Sequence, residues 1–239
     1  MKDAPHSIVA IDFDQDGDLD VLTASQDAST VAWYENNGRQ SFTERLIDSD
    51  AGGAKTAFPT DLDNDGDLDV LATLNLEWAV VWYENDGFLG FTEHLIANYA
   101  DGLEGAYFAL AADLDGDGDR DVVSAHQHAG GIAWHRNNQL DTEWPTFILD
   151  PGAAGARSVF IHDLDRDGDR DIVSASVDTD TVAWYENDGV GNFTRRVISS
   201  RVDGAYGVHV QDMNGDGRPD VLSAGHDDGM LRVHLQRRR

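Results

Sequence analysis

Residues 61–69 read DLDNDGDLD. The same pattern returns as DFDQDGDLD at 12–20, DLDGDGDRD at 113–121, DLDRDGDRD at 163–171 and DMNGDGRPD at 212–220. Successive first positions lie 49, 52, 50 and 49 residues apart. A fixed period of this length means a repeat architecture, so each acidic stretch is one part of a repeated unit.

The rest of the unit keeps the same register. VAWYENNG (31–38), VVWYENDG (80–87), IAWHRNN (132–138) and VAWYENDG (182–189) follow the first four acidic stretches, and LRVHLQ (231–236) is a degenerate fifth copy. Short segments FTERLI (42–47), FTEHLI (91–96), WPTFIL (144–149) and FTRRVI (193–198) come next. Before each acidic stretch lies another apolar run, such as IVAI (8–11), VFIH (159–162) or VHVQ (208–211). Each repeat thus holds four short segments rich in β-branched and aromatic residues, divided by Gly, Asn and Asp turns. The Asn-Asp-Gly triplets are hairpin signals, and no window carries a sustained helical period.

Four antiparallel strands per repeat is the pattern of a propeller blade. The expectation is an all-β, five-bladed β-propeller forming a single domain over 1–239, with blades near 1–50, 51–99, 100–151, 152–200 and 201–239. The last blade lacks its outer strand, which leaves nineteen strands. Two readings of the ends stay open: a three-stranded fifth blade, favoured, or a chain excised from a longer array. Arg237–Arg239 read as a solvated tail.

Asp and Glu number 45 against 17 Lys and Arg, a net charge of −28. That balance excludes a nucleic-acid phosphate backbone or an anionic membrane surface as partner, because both need a basic face. No apolar run is long enough to span a bilayer, so membrane insertion is not expected, and the first residues lack a signal peptide's apolar stretch. The absence of cysteine removes disulfides and thiolate metal sites.

The acidic stretches hold 23 of the 45 acidic residues. Like charges packed this closely repel unless a cation neutralises them. Carboxylates at alternate positions with Gly at the sixth follow the ligand logic of an EF-hand loop, with oxygens at positions 1, 3 and 5 and a carbonyl at 7, here closed by Asp at 9. Hard oxygen donors without His or Cys select Ca²⁺, about five ions, one per blade. Expected side-chain ligands are Asp12, Asp14, Asp16 and Asp20 in the first loop, and Asp61, Asp63, Asp65 and Asp69 in the second. The third offers Asp113, Asp115, Asp117 and Asp121, the fourth Asp163, Asp165, Asp167 and Asp171, the fifth Asp212, Asn214, Asp216 and Asp220. Asp18, Asp67, Asp119, Asp169 and Arg218 would supply only their carbonyls. The fifth site, one charge short, is expected to be the weakest.

The D-x-D-x-D-G-x-x-D loop after a short apolar strand, followed by an N-D-G-x-G-x-F turn, resembles the FG-GAP/VCBS repeat family of integrin-alpha-like propeller blades. The resemblance covers essentially the whole chain. It implies that each calcium loop joins the first and second strands of a blade, on the face opposite the usual ligand face, and that the calcium is structural. It also implies an extracellular or cell-surface setting. Seven or eight blades are usual in the family, so five is a departure.

On the opposite face, the residues six before each loop are His6, Lys55, Tyr107, Arg157 and Tyr206. The loops between second and third strands bring Asp27, Leu76, His128, Asp178 and Asp227 to the same side. Such a mouth suits a glycan or an acidic peptide, although ordinary strand-end residues would look the same. Trp33, Trp82, Trp134 and Trp184, like Phe42, Phe91, Trp144 and Phe193, recur in register and so favour packing between blades over sugar stacking. His126 and His128 alternate along a strand end without a repeated third ligand. The functional expectation is a non-catalytic, calcium-stabilised extracellular propeller that binds a glycan or protein. The alternatives are a purely structural repeat module or fragment of a larger secreted protein and, less favoured, a propeller lyase or dehydratase. No symmetry-breaking catalytic set stands out.

Overall fold

The computed structural model describes residues 4–138 and 144–236, so the Arg237–Arg239 tail lies outside the described residues. The first repeat forms β1 (Pro5–Ile11), β2 (Asp20–Ser25), β3 (Thr30–Asn36) and β4 (Phe42–Asp48). The second forms β5 (Ala54–Thr60), β6 (Asp69–Leu74), β7 (Ala79–Asn85) and β8 (Phe91–Ala97), followed by a 3₁₀ turn, Tyr99–Asp101. The third forms β9 (Glu104–Ala112), β10 (Asp121–Ala129), β11 (Ile132–His135) and β12 (Thr146–Asp150). The fourth forms β13 (Ala156–His162), β14 (Asp171–Ser176), β15 (Thr181–Asn187) and β16 (Phe193–Ser199), and the fifth β17 (Ala205–Gln211), β18 (Asp220–Gly225) and β19 (Leu231–His234). Each repeat is one antiparallel meander, giving sheets of four, four, four, four and three strands.

Local chemistry sets the turns. At the β7–β8 hairpin the Asp86 carboxylate accepts the amides of Phe88 and Gly90 at 2.8 and 2.9 Å, and Asp188 does the same for Val190 and Asn192. Gly87 and Gly189 supply the left-handed backbone there (φ 73° and 76°), which side chains with a Cβ resist. The second and third strands are the most buried in each of the first four sheets, and their registers repeat: Trp33 lies opposite Leu22, Trp82 opposite Leu71, Trp134 opposite Val123 and Trp184 opposite Val173.

The core lies between sheets. Four apolar clusters join the first sheet to the second, the second to the third, the third to the fourth and the fourth to the fifth. The in-register aromatics sit in these seams. Trp33 packs against Phe13, which also meets Phe91 of the next sheet, and Trp134 packs between Phe147 and Phe193. Packing, not sugar stacking, is therefore where these rings are used. Trp144 packs against the seam of the second and third sheets, whereas Phe42 is 48% exposed.

No such cluster joins the fifth sheet to the first among the described residues, and the ring of sheets is not closed. Ile8, Phe42 and Leu46 on the first sheet, and Leu231 and Val233 on the fifth, stay exposed. At matching positions in seams that are made, Val31 and Trp33 are 0% and 1% exposed, against 86% and 47% for Leu231 and Val233.

Candidate metal centres and the axial mouth

Each acidic stretch joins the first strand of its sheet to the second, placing all five loops on one face. The turn that closes them is left-handed at the sixth position, with φ between 82° and 106° for Gly17, Gly66, Gly118, Gly168 and Gly217. The amide of that Gly donates to the first-position carboxylate in all five loops, for example Gly17 to Asp12 at 3.1 Å and Gly217 to Asp212 at 2.8 Å. The fourth position is left-handed as well, at Gln15, Asn64 and Arg166 (φ 61–70°) and at Gly116 and Gly215.

Four clusters follow: Asp12, Asp14 and Asp20; Asp61, Asp63 and Asp69; Asp113, Asp115 and Asp121; Asp163, Asp165 and Asp171. In each, three carboxylate oxygens lie within 4.8 Å of one another. The first-position Oδ1 of Asp12, Asp61 and Asp163 is buried with no hydrogen-bond partner. A buried charged oxygen without a partner is costly unless a cation meets it, so these three loops fit a hard divalent ion. The fifth loop carries Asn214 at the third position, one carboxylate fewer, and its first residue, Asp212, is exposed and accepts the amides of Asn214 and Gly215.

The fifth-position side chains are not in these groups of mutually close oxygens, although Asp117 and Asp167 interact with Asp115 and Asp165. Asp16, Asp65, Asp117, Asp167 and Asp216 each accept the amide two residues on, those of Asp18, Asp67, Asp119, Asp169 and Arg218, at 2.9–3.0 Å. The ninth Asp does more than ligation requires. It is fully buried in every loop, and one oxygen accepts the second-position amide while the other accepts an amide at the end of the third strand, sixteen residues on. For Asp69 these are Leu62 at 2.8 Å and Asn85 at 2.9 Å; for Asp20, Phe13 at 3.1 Å and Asn36 at 2.7 Å. Asp121, Asp171 and Asp220 repeat the arrangement with Asn137, Asn187 and Gln236.

Those amide side chains extend the network between sheets. Asn137 donates to Leu62 O, Asn187 to Leu114 O and Gln236 to Leu164 O, each a carbonyl in the preceding sheet's loop. Sequence reasoning missed this clamp; the signal was the constant spacing between the ninth Asp and the Asn or Gln that ends the third-strand motif. Burial, first among the causes, pushes the carboxyls of Asp69 and Asp121 up to about 7 and that of Asp171 to about 6. It raises Asp14, Asp63, Asp115 and Asp165 too, with neighbouring carboxylates adding to the shift.

A second missed feature is the motif's fifth residue. Glu35, Glu84 and Glu186 add negative charge near Asp14, Asp63 and Asp165. The third repeat instead carries Arg136, whose guanidinium lies 2.6 Å from Asp115 and 3.6 Å from Asp117. In that loop a side chain supplies part of the positive charge the others lack.

The FG-GAP-like repeat model matches residues 12–72, 113–174 and 163–223, three spans that each start at the first Asp of a loop and end within the next second strand. The chain belongs to the FG-GAP-like repeat family. No curated protein matches at a significant level. Among solved structures, this FG-GAP-like chain is similar to an Agrocybe aegerita lectin whose structure concerns recognition of non-reducing terminal N-acetylglucosamine, at 19% identity and a TM-score of 0.63, over 97% of this chain and 66% of the lectin. It also resembles the V. cholerae biofilm matrix protein Bap1 at 17% identity and TM-score 0.54, over 97% of this chain and 37% of that one. A Staphylococcus aureus virginiamycin B lyase, in a catalytically inactive form with quinupristin, aligns at 14% identity and TM-score 0.60, over 99% and 71%. At these identities the likeness is one of fold. The chain spans about two-thirds of the lectin's length and just over a third of Bap1's.

At the other end of the first strands, the FG-GAP-like blades bring His6, Lys55, Tyr107, Arg157 and Tyr206 into one cluster. His6 Nε2 lies 3.1 Å from the Tyr107 hydroxyl, and His6 Nδ1 3.1 Å from Lys55 O. The Tyr107 and Tyr206 hydroxyls are hydrogen-bonded, with rings edge to face. Lys55 Nζ sits 5.0 Å from the Tyr107 ring centre, and the Arg157 guanidinium 4.6 Å from it and 5.4 Å from that of Tyr206. Lys55 is 8% exposed and donates to Gln26 Oε1. Burial and the charge of Arg157 lower the Lys55 pKa, against a smaller opposite pull from Asp27. Burial and the bond to Tyr206 push the Tyr107 phenol up to about 12.

The β2–β3 turns and their counterparts rim this mouth, packed on glycines: Leu76 on Gly53, His128 on Gly105, Asp178 on Gly155 and Asp227 on Gly204. His126 and His128 do not converge. His126 turns into the core onto Ser124, while His128 contacts Gln127. Among the described residues, no helix is long and apolar enough to cross a membrane.

Proposed function

We propose that the chain is a non-catalytic, calcium-stabilised extracellular binding module whose axial mouth receives a glycan or a protein partner. One observation carries the reading. The loop face presents the same carboxylate cluster in four consecutive repeats, whereas the mouth presents five different environments built from His, Lys, Tyr, Arg and Tyr at one repeat-equivalent position. Repetition suits a structural role, and departure from repetition is what a ligand requires. When bound, calcium would neutralise each carboxylate cluster. The ninth Asp would then pin the loop to the end of the third strand, holding the first strand that carries the mouth residue.

The lectin and biofilm-matrix neighbours support a binding role and an extracellular setting. The buried Ser124, hydrogen-bonded to His126 and His135 at 2.7 Å, has the content of a nucleophile and base but the position of a packing group. Ser174 with Tyr185 and Ser223 with His234 occupy the same place in later repeats. A glycan array probed with the chain in millimolar calcium, with a chelated control, tests the proposal. Calcium-dependent binding to related sugars, abolished by Tyr206→Ala, is expected; binding unaffected by every mouth substitution would refute the mouth as the site.

A second reading, an architectural repeat unit within a larger assembly, is favoured by the exposed apolar faces of the first and fifth sheets. A chain that stays monomeric while binding sugar would exclude it as the sole role.

A further inference from the structure

Lys55 and Arg157 are an anomaly of charge. In a chain of net charge −28, five arginines, at 45, 136, 195, 196 and 232, each hold a carboxylate partner. Lys55 and Arg157 hold none among the described residues and, unlike the likewise unpaired Arg39, Arg120, Arg166, Arg170 and Arg201, they are not exposed; each lies over the Tyr107 ring, 5.0 and 4.6 Å from its centre. Lys55 is nearly buried, and the Arg157 Nε is buried with no hydrogen-bond partner. Two desolvated cations over one tyrosine ring cost free energy that its π-face offsets only in part. Donors are also left over: Lys55 Nζ spends one of three on Gln26.

We infer that Lys55 and Arg157 form a binding site for an oxyanion, a carboxylate or sulfate, carried on a saccharide. The inference rests on the reading of the mouth as the binding face and names the chemistry that face selects. An oxyanion within reach of both cations would supply the missing counter-charge and accept the idle donors, with bidentate contact from the guanidinium. The acidic loops do not oppose it. Six residues of strand separate each mouth residue from its loop, about 20 Å at the usual rise, against a Debye length of ~8 Å at physiological salt. A saccharide is favoured over an acidic peptide by the rim, where Tyr206 and His226 stack at 5.7 Å and the His226 side chain is 67% exposed, offering a flat aromatic edge to a sugar ring.

Calorimetric titration of the full chain in millimolar calcium tests this with four probes: trigalacturonate, a sulfated trigalactoside, the neutral trigalactoside and triglutamate. Expected is binding of one or both acidic sugars, at least tenfold weaker binding of the neutral sugar, and a loss of tenfold or more in Lys55→Met and Arg157→Gln. Lys55→Arg should retain binding, and rising NaCl should weaken it. Thermal melts of the variants separate lost contacts from lost fold. Equal binding of the neutral sugar, indifferent to Lys55→Met, overturns the oxyanion site while leaving the mouth as a glycan site. Preference for triglutamate overturns the saccharide. No binding of any probe by the folded chain overturns both this inference and the glycan reading.

Discussion

Replacing Asp69 with alanine separates two jobs that one carboxylate performs. Its oxygens accept the amides of Leu62 and Asn85 at 2.8 and 2.9 Å in a fully buried setting. Alanine leaves both amides unpaired, and a buried unsatisfied donor costs ~1–3 kcal/mol, so the expected loss is about 2–6 kcal/mol. For a chain of this size each kcal/mol moves the melting point by about 2–4 °C, so the melt should fall by roughly 4–24 °C. Asp63→Ala is the control. Its carboxylate accepts only the Asp65 amide, at 3.2 Å, and lies among like charges, so the chelated melt should move by about 1 kcal/mol or less. Circular-dichroism melts in chelator and again in millimolar calcium read both jobs. Asp69→Ala should fall in both conditions, whereas Asp63→Ala should differ from the parent mainly when calcium is present. An Asp69→Ala melt within 2 °C of the parent in chelator would refute the clamp. Equal calcium-dependent gains in parent and Asp63→Ala would refute ligation.

Other consequences follow from single residues. Arg136→Glu, which installs the residue of three other motifs beside Asp115, should tighten calcium at the third loop about tenfold or more, because the charge beside the cluster changes by two units at close range; a calcium titration unchanged by the substitution would contradict the guanidinium's role. Burial lowers His135 to about 3 and His126 to about 4. Because these folded values lie below the unfolded value of 6.5, the contribution is whole above 6.5 and is lost as pH falls towards 3. His135→Tyr, matching Tyr185, should therefore remove about 2 kcal/mol of the stability lost between pH 7 and 5; urea melts with the same pH difference as the parent would oppose this. Leu231→Ser, at 86% exposure, should cost less than about 0.5 kcal/mol, while Leu71→Ala, fully buried, should cost ~2–5; a large loss for Leu231→Ser would mean that the end face is covered in solution.

The repeat made most of the fold legible. Five in-register loops with four apolar segments between them specify antiparallel meanders, and a Gly at every sixth position marks where the backbone must turn left-handed. The convergence of His6, Lys55, Tyr107, Arg157 and Tyr206 followed from counting back along strands of equal length. What the sequence hid was long-range geometry. The ninth Asp reads as one more ligand because its second oxygen's partner lies sixteen residues away on another strand. The burden on Arg136 was invisible because a third-strand residue and a first-loop residue meet only once the sheet is formed. Nor does a repeat count state whether the ring closes. Leu231 and Ile8 have the apolarity of seam residues, and only the placement of the first and fifth sheets leaves them exposed.

The central claim is that the acidic loops hold calcium as part of the fold, and counting ions while melting the same sample tests it most directly. Metal analysis of the chain dialysed against millimolar calcium should find four to five ions per chain. Its melting point should drop sharply with chelator, since each site at a hundredfold excess over its Kd adds ~2.7 kcal/mol. A chain that retains no calcium and melts at the same temperature with and without chelator would contradict it.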